Sequence, residues 1–232
     1  KWWRCWWSWW LPMSDNSVLV GMSGGVDSSV AAYLLQQQGF AVTGATMKLF
    51  DNEAVGEELE STCCSLSDVE DARRVAYRLG IPHYVFNFSE EFQHKVMDHF
   101  AQCYACGLTP NPCIDCNRYM KFERMLRRAR ELGIWYAATG HYARRASDGE
   151  RWLLKKGLDP EKDQSYFLYH LTQPWLEHFL LPLGDLTKPQ VREIAEEQGF
   201  VNARKRDSQD ICFVPDGDYG AFLDRYTGQK SE

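Results

Sequence analysis

The sequence predicts an α/β fold, a doubly wound and mostly parallel sheet with a small additional C-terminal segment. Two observations carry this. Short apolar, β-branched runs alternate with amphipathic stretches at the spacing of parallel-sheet units over residues 17–139. A glycine-rich turn, Ser23-Gly24-Gly25-Val26-Asp27-Ser28-Ser29, follows the first such run and opens the first amphipathic stretch. Strand-to-helix turns of that kind lie on the edge where open α/β sheets bind ligands.

The elements follow in order. Ser17–Met22 (SVLVGM) is a buried strand by its short apolar run. Val26–Gln38 is a helix, stopped by Gly39. Ala41–Met47 is the second strand, and Asp51–Ser61 an acidic, polar loop. Ser67 and Glu70 have capping-box spacing for a helix reaching Leu79, and Gly80 ends it. His83–Phe88 is the third strand and Glu90–Cys106 a helix. Gly107–Pro112 (GLTPNP) is a loop of breakers. Arg118–Leu132 is a basic helix ended by Gly133, and Trp135–Thr139 the fourth strand. Beyond Gly140 the pattern weakens. It allows a short strand at Arg151–Lys155, short helices at Gln164–His170 and Pro174–Leu180, and a strand or turn at Ser208–Val214. Thr187–Gln198 is a clear helix.

With 232 residues, 44% apolar and 25% charged, the chain is long enough to bury a core, and its composition excludes a disordered chain. No apolar run reaches the roughly 18–20 residues of a membrane span. Six of the nine tryptophans lie in the first ten residues. Lys1–Pro12 (KWWRCWWSWWLP) is too short, too interrupted and too poor in small residues for a signal peptide, and Met13 follows it. It reads as non-native upstream sequence. It carries Lys1 and Arg4, so the formal charge of −6 becomes −8 without it.

An acidic chain disfavours nonspecific nucleic-acid binding, but local basic faces exist. Arg118, Lys121, Arg124, Arg127, Arg128 and Arg130 share one helix; Lys155–Lys156 and Arg204–Arg206 are smaller clusters. Eight cysteines without an export signal imply reduced thiols, metal or catalysis in the cytoplasm rather than a disulfide scaffold. Cys103, Cys106, Cys113 and Cys116 form two C-x-x-C pairs, which permits a zinc site.

The S-G-G-x-D-S turn presents backbone N–H groups, hydroxyls and a helix N-terminus to an anion, with no Walker lysine following. It resembles the loop of the N-type ATP pyrophosphatases. Four further segments narrow the resemblance: Asn111-Pro112-Cys113-Ile114-Asp115-Cys116-Asn117, Ala138-Thr139-Gly140-His141-Tyr142, Lys162-Asp163-Gln164-Ser165-Tyr166-Phe167-Leu168 and Asp207-Ser208-Gln209-Asp210-Ile211-Cys212-Phe213. In this order, over about residues 17–226, they resemble the tRNA-specific 2-thiouridylases of bacteria and organelles.

The resemblance implies ATP-dependent conversion of the wobble uridine of tRNA to 2-thiouridine. It places ATP, with Mg²⁺, at Gly21, Met22, Ser23, Gly24, Gly25, Val26, Asp27 and Ser28, and adenosine at Met47 and Gly140. It makes Cys116 the nucleophile and Cys212 the carrier of a persulfide supplied by a donor protein. It assigns Asn111, Pro112 and Cys113 to the target base, and His141, Lys162, Asp163 and Gln164 to tRNA. It implies a catalytic domain over residues 13–150 and the start of a central domain over 151–232, with the family's terminal β-barrel absent. Some relatives carry Asp at the position of Cys113, so Cys113, Cys116 and Cys212 would alternatively hold three irons of a four-iron cluster. Two other readings stay open: an amide-forming ATP pyrophosphatase that needs no cysteine pair, and a nucleotide- or tRNA-binding fragment without turnover.

Overall fold

The computed structural model describes residues 14–50, 66–207, 211–214 and 217–228. The upstream tryptophan segment, the acidic loop at 51–61, Cys63, Cys64 and residues 208–210 lie outside them.

Strand β1 (Ser14–Gly21) runs through the centre of the sheet, because Val18, Leu19 and Val20 are apolar in succession and buried on both faces. The chain continues through α1 (Val26–Gln37), β2 (Ala41–Lys48), α2 (Leu66–Leu79) and β3 (His83–Asn87). Helix α3 spans 89–105, with a π-turn at Gln93–Met97. Helix α4 spans 112–131, with a longer π-segment at Cys116–Arg124. Then come β4 (Ile134–Ala138), β5 (Ala143–Ser147), β6 (Trp152–Lys156), a 3₁₀ turn (Ser165–Leu168), α5 (Gln173–His178), β7 (Phe179–Leu180), α6 (Lys188–Glu197) and α7 (Tyr219–Thr227).

The main sheet is parallel, in the order β3-β2-β1-β4-β7. Val18 of β1 stands between Val42 and Tyr136 of its neighbours. The chain winds outward from β1 to β3 and then crosses back to β4, so the strand order reverses between β1 and β4. Ligands of open α/β sheets bind in that crevice.

Three apolar clusters hold the layers. On one face, Val30 and Leu35 of α1, Val75 of α2 and Val191 of α6 pack on Val18 and Val20. On the other, Phe122, Met125 and Leu126 of α4 pack on Leu19, Ala137 and Phe179. A third, aromatic cluster joins Phe92 and Phe100 of α3, Met120 of α4, Phe213 and Phe222.

Several boundaries differ from the sequence-based expectation. Helix α4 begins at Pro112, not Arg118, because Asn111 caps it: its side chain accepts from the Cys113 N–H at 3.1 Å. Cys113 and Cys116 therefore stand in the helix rather than in a loop before it. Helix α2 already includes Leu66 and Ser67, so Ser67 is not its cap. The expected strand at 151–155 is half of an antiparallel ribbon, β5–β6, whose first strand was not foreseen. The expected helix at 174–180 ends at His178, and Phe179–Leu180 adds a fifth parallel strand on β4. The expected helix at 164–170 is one 3₁₀ turn, and residues 211–214 form a turn. Helix α7, capped by Asp218, was not foreseen.

Candidate functional site

The S-G-G-x-D-S loop sits at the carboxyl end of β1, beside the β1/β4 crevice. Gly24 has φ +75°, and a side chain there would collide with the Asp68 backbone. Gly140, just past β4, lies against the loop: a Cβ would come within 2.8 Å of Asp27 C and 2.9 Å of Ser28 N. The loop is braced from within. Ser28 Oγ accepts from Ser23 N–H at 3.2 Å and donates to Gly25 O at 3.0 Å, and Ser29 Oγ donates to Gly25 O at 3.0 Å. Met47, at the end of β2, is partly buried where the second and third clusters meet. The residues assigned to ATP from sequence thus converge on one sheet edge.

Residues not singled out from sequence complete the cradle. Asn202, 1% exposed, donates to Gly24 O at 2.8 Å and to Ser29 Oγ at 2.9 Å. Lys188, the first residue of α6 and 7% exposed, holds both Asp27 carboxylate oxygens at 2.7 and 2.8 Å and Asp207 at 2.7 Å. The Tyr142 hydroxyl donates to Asp27 at 2.8 Å; burial, then the Asp27 charge, pushes that phenol far above its usual range. Asp207 also takes Lys162 at 2.9 Å and Arg192 at 3.0 Å. Burial works to raise the Asp207 carboxyl, but the lysine hydrogen bonds outweigh it and hold it below the ordinary carboxylate value. One chain of charges therefore runs from the phosphate loop to the segment leading into Cys212. Only the placement of Lys188 immediately after Thr187, whose N–H is held by Gln190 Oε1 at 2.8 Å, marked it in sequence, as the opening of a helix.

The two predicted catalytic cysteines share the aromatic cluster. Cys116, 8% exposed, is part of it, and Cys212 packs on its edge. Phe213 anchors the Cys212 turn by lying against Phe92, Phe100 and Phe222, with ring centroids at 5.8, 5.4 and 5.2 Å. Cys113 and Asn111 are exposed one turn away. Among the described residues, no three His, Cys, Asp or Glu side chains converge as metal ligands do. The zinc set of Cys103, Cys106, Cys113 and Cys116 and the iron set of Cys113, Cys116 and Cys212 are therefore not formed here. Cys116 is turned into the apolar cluster, whereas Cys113 faces solvent.

The remaining assignments are internally bonded. Gln164 Oε1 accepts from Tyr142 N–H at 3.0 Å, and Asp163 accepts from Gly157 N–H at 2.9 Å and from Ser165 Oγ at 2.9 Å. Only Lys162 of the three carries a positive charge, and it is half-exposed. The basic face of α4 is weaker than its composition suggests: Arg124 pairs with Glu91, Arg127 with Glu123 at 3.3 Å and Arg128 with Glu131 at 2.6 Å. Glu91 comes from α3, which sequence spacing does not reveal.

His141, 7% exposed, shares a proton with Thr139 Oγ1 at 2.7 Å. Burial, then the Lys121 charge, pushes its pKa well below 6.5. Below about pH 6.5 the unfolded chain binds a proton that the folded chain refuses, so this histidine's contribution is full above that pH and declines as pH falls. His141→Gln is expected to remove up to about 1.4 kcal/mol per pH unit from the slope of stability between pH 6.5 and 5. Urea midpoints across that range measure it, and an unchanged slope contradicts it.

A family profile described as "tRNA methyl transferase HUP domain" matches residues 16–216. The chain belongs to that family. Among curated proteins it is similar to the tRNA-specific 2-thiouridylase MnmA of Clostridium acetobutylicum, at 54% identity over 91% of this chain and 59% of that one. It is also similar to MnmA 1 of Thermoanaerobacter sp., at 56% over 90% and 58%, and to MnmA of Clostridioides difficile, at 54% over 94% and 61%. The chain thus spans about three-fifths of the length of these relatives. Among solved structures it resembles a 4-thiouridine synthetase–RNA complex with bound ATP (TM-score 0.58, 18% identity, covering 86% of this chain and 45% of that one). It also resembles an NMN synthetase from Francisella tularensis (TM-score 0.50, 17% identity, 94% and 79%). At these identities the likeness is one of fold. No helix of the described residues is long and apolar enough to cross a membrane.

Proposed function

We propose that this chain is the ATP-binding and sulfur-transferring part of a tRNA-uridine 2-sulfurtransferase, acting in the cytoplasm on the wobble uridine of tRNA. The observation that carries it is the placement of Cys116 and Cys212 in one cluster, with the Cys212 segment tied by Asp207 and Lys188 to the phosphate loop. High identity to proteins named 2-thiouridylases supports the substrate. Residues 13–150 would form the catalytic domain and 151–232 the start of a central one. The family description speaks of methyl transfer, but transfer of a methyl group makes no use of an ATP pyrophosphate cradle.

A carbonyl oxygen at C2 of uridine leaves poorly. Its attack on the α-phosphorus of ATP forms an AMP ester and expels pyrophosphate, which Ser23–Ser28 would hold through N–H and hydroxyl donors. Met47 and Gly140 would border the adenosine. Mg²⁺ brought with ATP would share the triphosphate charge; Asp27, the loop carboxylate, has both oxygens engaged by Lys188 and so would not hold the ion as it stands. Asn111, Pro112 and Cys113 would face the target base once it leaves the anticodon stack, with Lys162 towards the tRNA backbone and Asp163 and Gln164 shaping that loop.

A donor protein would load Cys212 with a persulfide. Cys116 attacks the inner sulfur and releases hydrosulfide, which displaces AMP from C2; alternatively the persulfide attacks C2 and Cys116 then resolves the adduct. Both routes end in 2-thiouridine, AMP and a Cys116–Cys212 disulfide that an external thiol reduces. The test is incubation with unmodified tRNA, Mg–ATP and inorganic polysulfide. We expect tRNA-dependent AMP and pyrophosphate matched by 2-thiouridine in the nucleoside digest. ADP as the nucleotide product, or AMP formed equally without tRNA, would refute the proposal.

A further inference from the structure

The mechanism above leaves one group of reactive side chains unused. His99 of α3 lies between Asp115 of α4 and Cys103, one helical turn further along α3. Its Nδ1 is 2.8 Å from Asp115 Oδ2, and its Nε2 is 3.4 Å from Cys103 Sγ. The two contacts use opposite nitrogens of one ring, so the three side chains form a line through the imidazole rather than a ring around a common point. That geometry does not gather ligands for a metal. It matches a thiol, a base and a carboxylate that orients the base.

With Asp115 accepting from Nδ1–H, the neutral ring presents Nε2 to the thiol as an acceptor. His99 is thereby placed to accept the Cys103 proton, with Asp115 orienting the ring. The site is open: the His99 side chain is 52% exposed, and Cys103 is partly exposed. Cys106, three residues on, is more exposed, and among the described residues the histidine contact falls on Cys103. The position is also telling. Asp115 immediately precedes Cys116. Phe100 and Tyr104, the residues of α3 flanking Cys103, pack on Phe213 and Tyr219, with centroids at 5.4 and 6.4 Å. Cys103 thus sits on the outer side of the helix that backs the Cys212 turn.

We propose that Cys103, with His99 as its base and Asp115 as the positioning residue, is a second nucleophilic site that accepts sulfane sulfur from a persulfide or polysulfide. This rests on the sulfur-transfer reading above. The Cys103 thiolate attacks the outer sulfur of R–S–SH. A Cys103–S bond forms and the R–S–S bond breaks. R–S⁻ leaves and takes the proton back from His99, so Cys103–SH and R–S–SH become Cys103–S–SH and R–SH with no net oxidation. Cys103 would then be an entry port for sulfur on the exposed face of the catalytic cluster.

The test reads each cysteine separately in the whole chain, by limited treatment with iodoacetamide or inorganic polysulfide and fragment-ion mass spectrometry of the peptide containing Cys103, Cys106 and Cys113. In the wild type, alkylation at Cys103 is expected to be roughly tenfold faster than at the more exposed Cys106. One added sulfur should appear first at Cys103. His99→Gln should bring Cys103 down to the Cys106 rate, Asp115→Asn should fall between, and circular dichroism should report unchanged folding for both variants. Equal rates at Cys103 and Cys106 in the wild type, or no effect of His99→Gln, would overturn the proposal. Because these rates need neither tRNA nor ATP, a chain that fails to thiolate tRNA but keeps a fast, His99-dependent Cys103 refutes the proposed function and not this site.

Discussion

Replacing Lys188 by methionine is expected to cost about 3–5 kcal/mol of stability. The ammonium is almost entirely buried and meets three carboxylate oxygens, two of Asp27 and one of Asp207. Methionine nearly matches the stem in volume but leaves two half-buried carboxylates facing each other across the vacated space, with the Tyr142 hydroxyl on one and Lys162 and Arg192 on the other. Removing one member of a buried ionic group costs more than the group contributes, because the partners stay buried and uncompensated. The urea midpoint at unchanged m-value measures the loss. Lys162→Met, at the exposed end of the same network, should cost no more than about 1 kcal/mol. Equal losses from the two variants would contradict the distinction. Asp207→Asn placed on Lys188→Met should recover part of the loss, since it removes one of the stranded charges.

Cys116→Ser and Cys212→Ser are each expected to lower 2-thiouridine formation by at least about a thousandfold, while tRNA-dependent pyrophosphate release persists. A serine hydroxyl has nearly the same shape, so Phe213 should hold the Cys212 turn as before, but it forms neither a persulfide nor the closing disulfide. Nucleoside analysis and pyrophosphate assay on the same samples separate the half-reactions. Thiolation by either variant at a tenth of the wild-type rate would end the two-cysteine scheme. Retained activity of a different kind would point to an amide-forming relative of the same fold.

The parts of this architecture legible in sequence are those governed by local rules. Glycine after most of the helices, β-branched runs and the S-G-G-x-D-S turn are short-range signals. They place β2 to β4 and α1 within one residue of where they lie, and β1 within three. Phe179–Leu180 could not be read as a strand, because two residues carry no period; it is a strand only because β4 leaves an edge for it. Helix α4 starts six residues before the basic run that signals it, because Asn111, which looks like one more loop residue among breakers, is its cap. Cys116 and Cys212 were legible as a resemblance, but the means of bringing them together was not. That is Phe213, a phenylalanine like any other until Phe92 and Phe100 are seen around it. Lys188 and Asn202 were missed for the same reason: their partners lie 161 and 178 positions away in the chain.

Asn202 has a consequence for how the molecule can be divided. The phosphate loop occupies the first helical turn after β1, and it looks like a short motif that would fold with the two or three elements nearest it. Its carbonyl at Gly24 and its hydroxyl at Ser29 are instead fastened by a side chain from the last third of the chain, beyond the fifth strand and α6. An excised N-terminal piece ending near residue 150 would carry every residue of the motif and lack the clasp that closes it. Nucleotide binding as proposed here should therefore need the distal segment as well as the motif, and the loop is a lock whose key is cut at the other end of the chain.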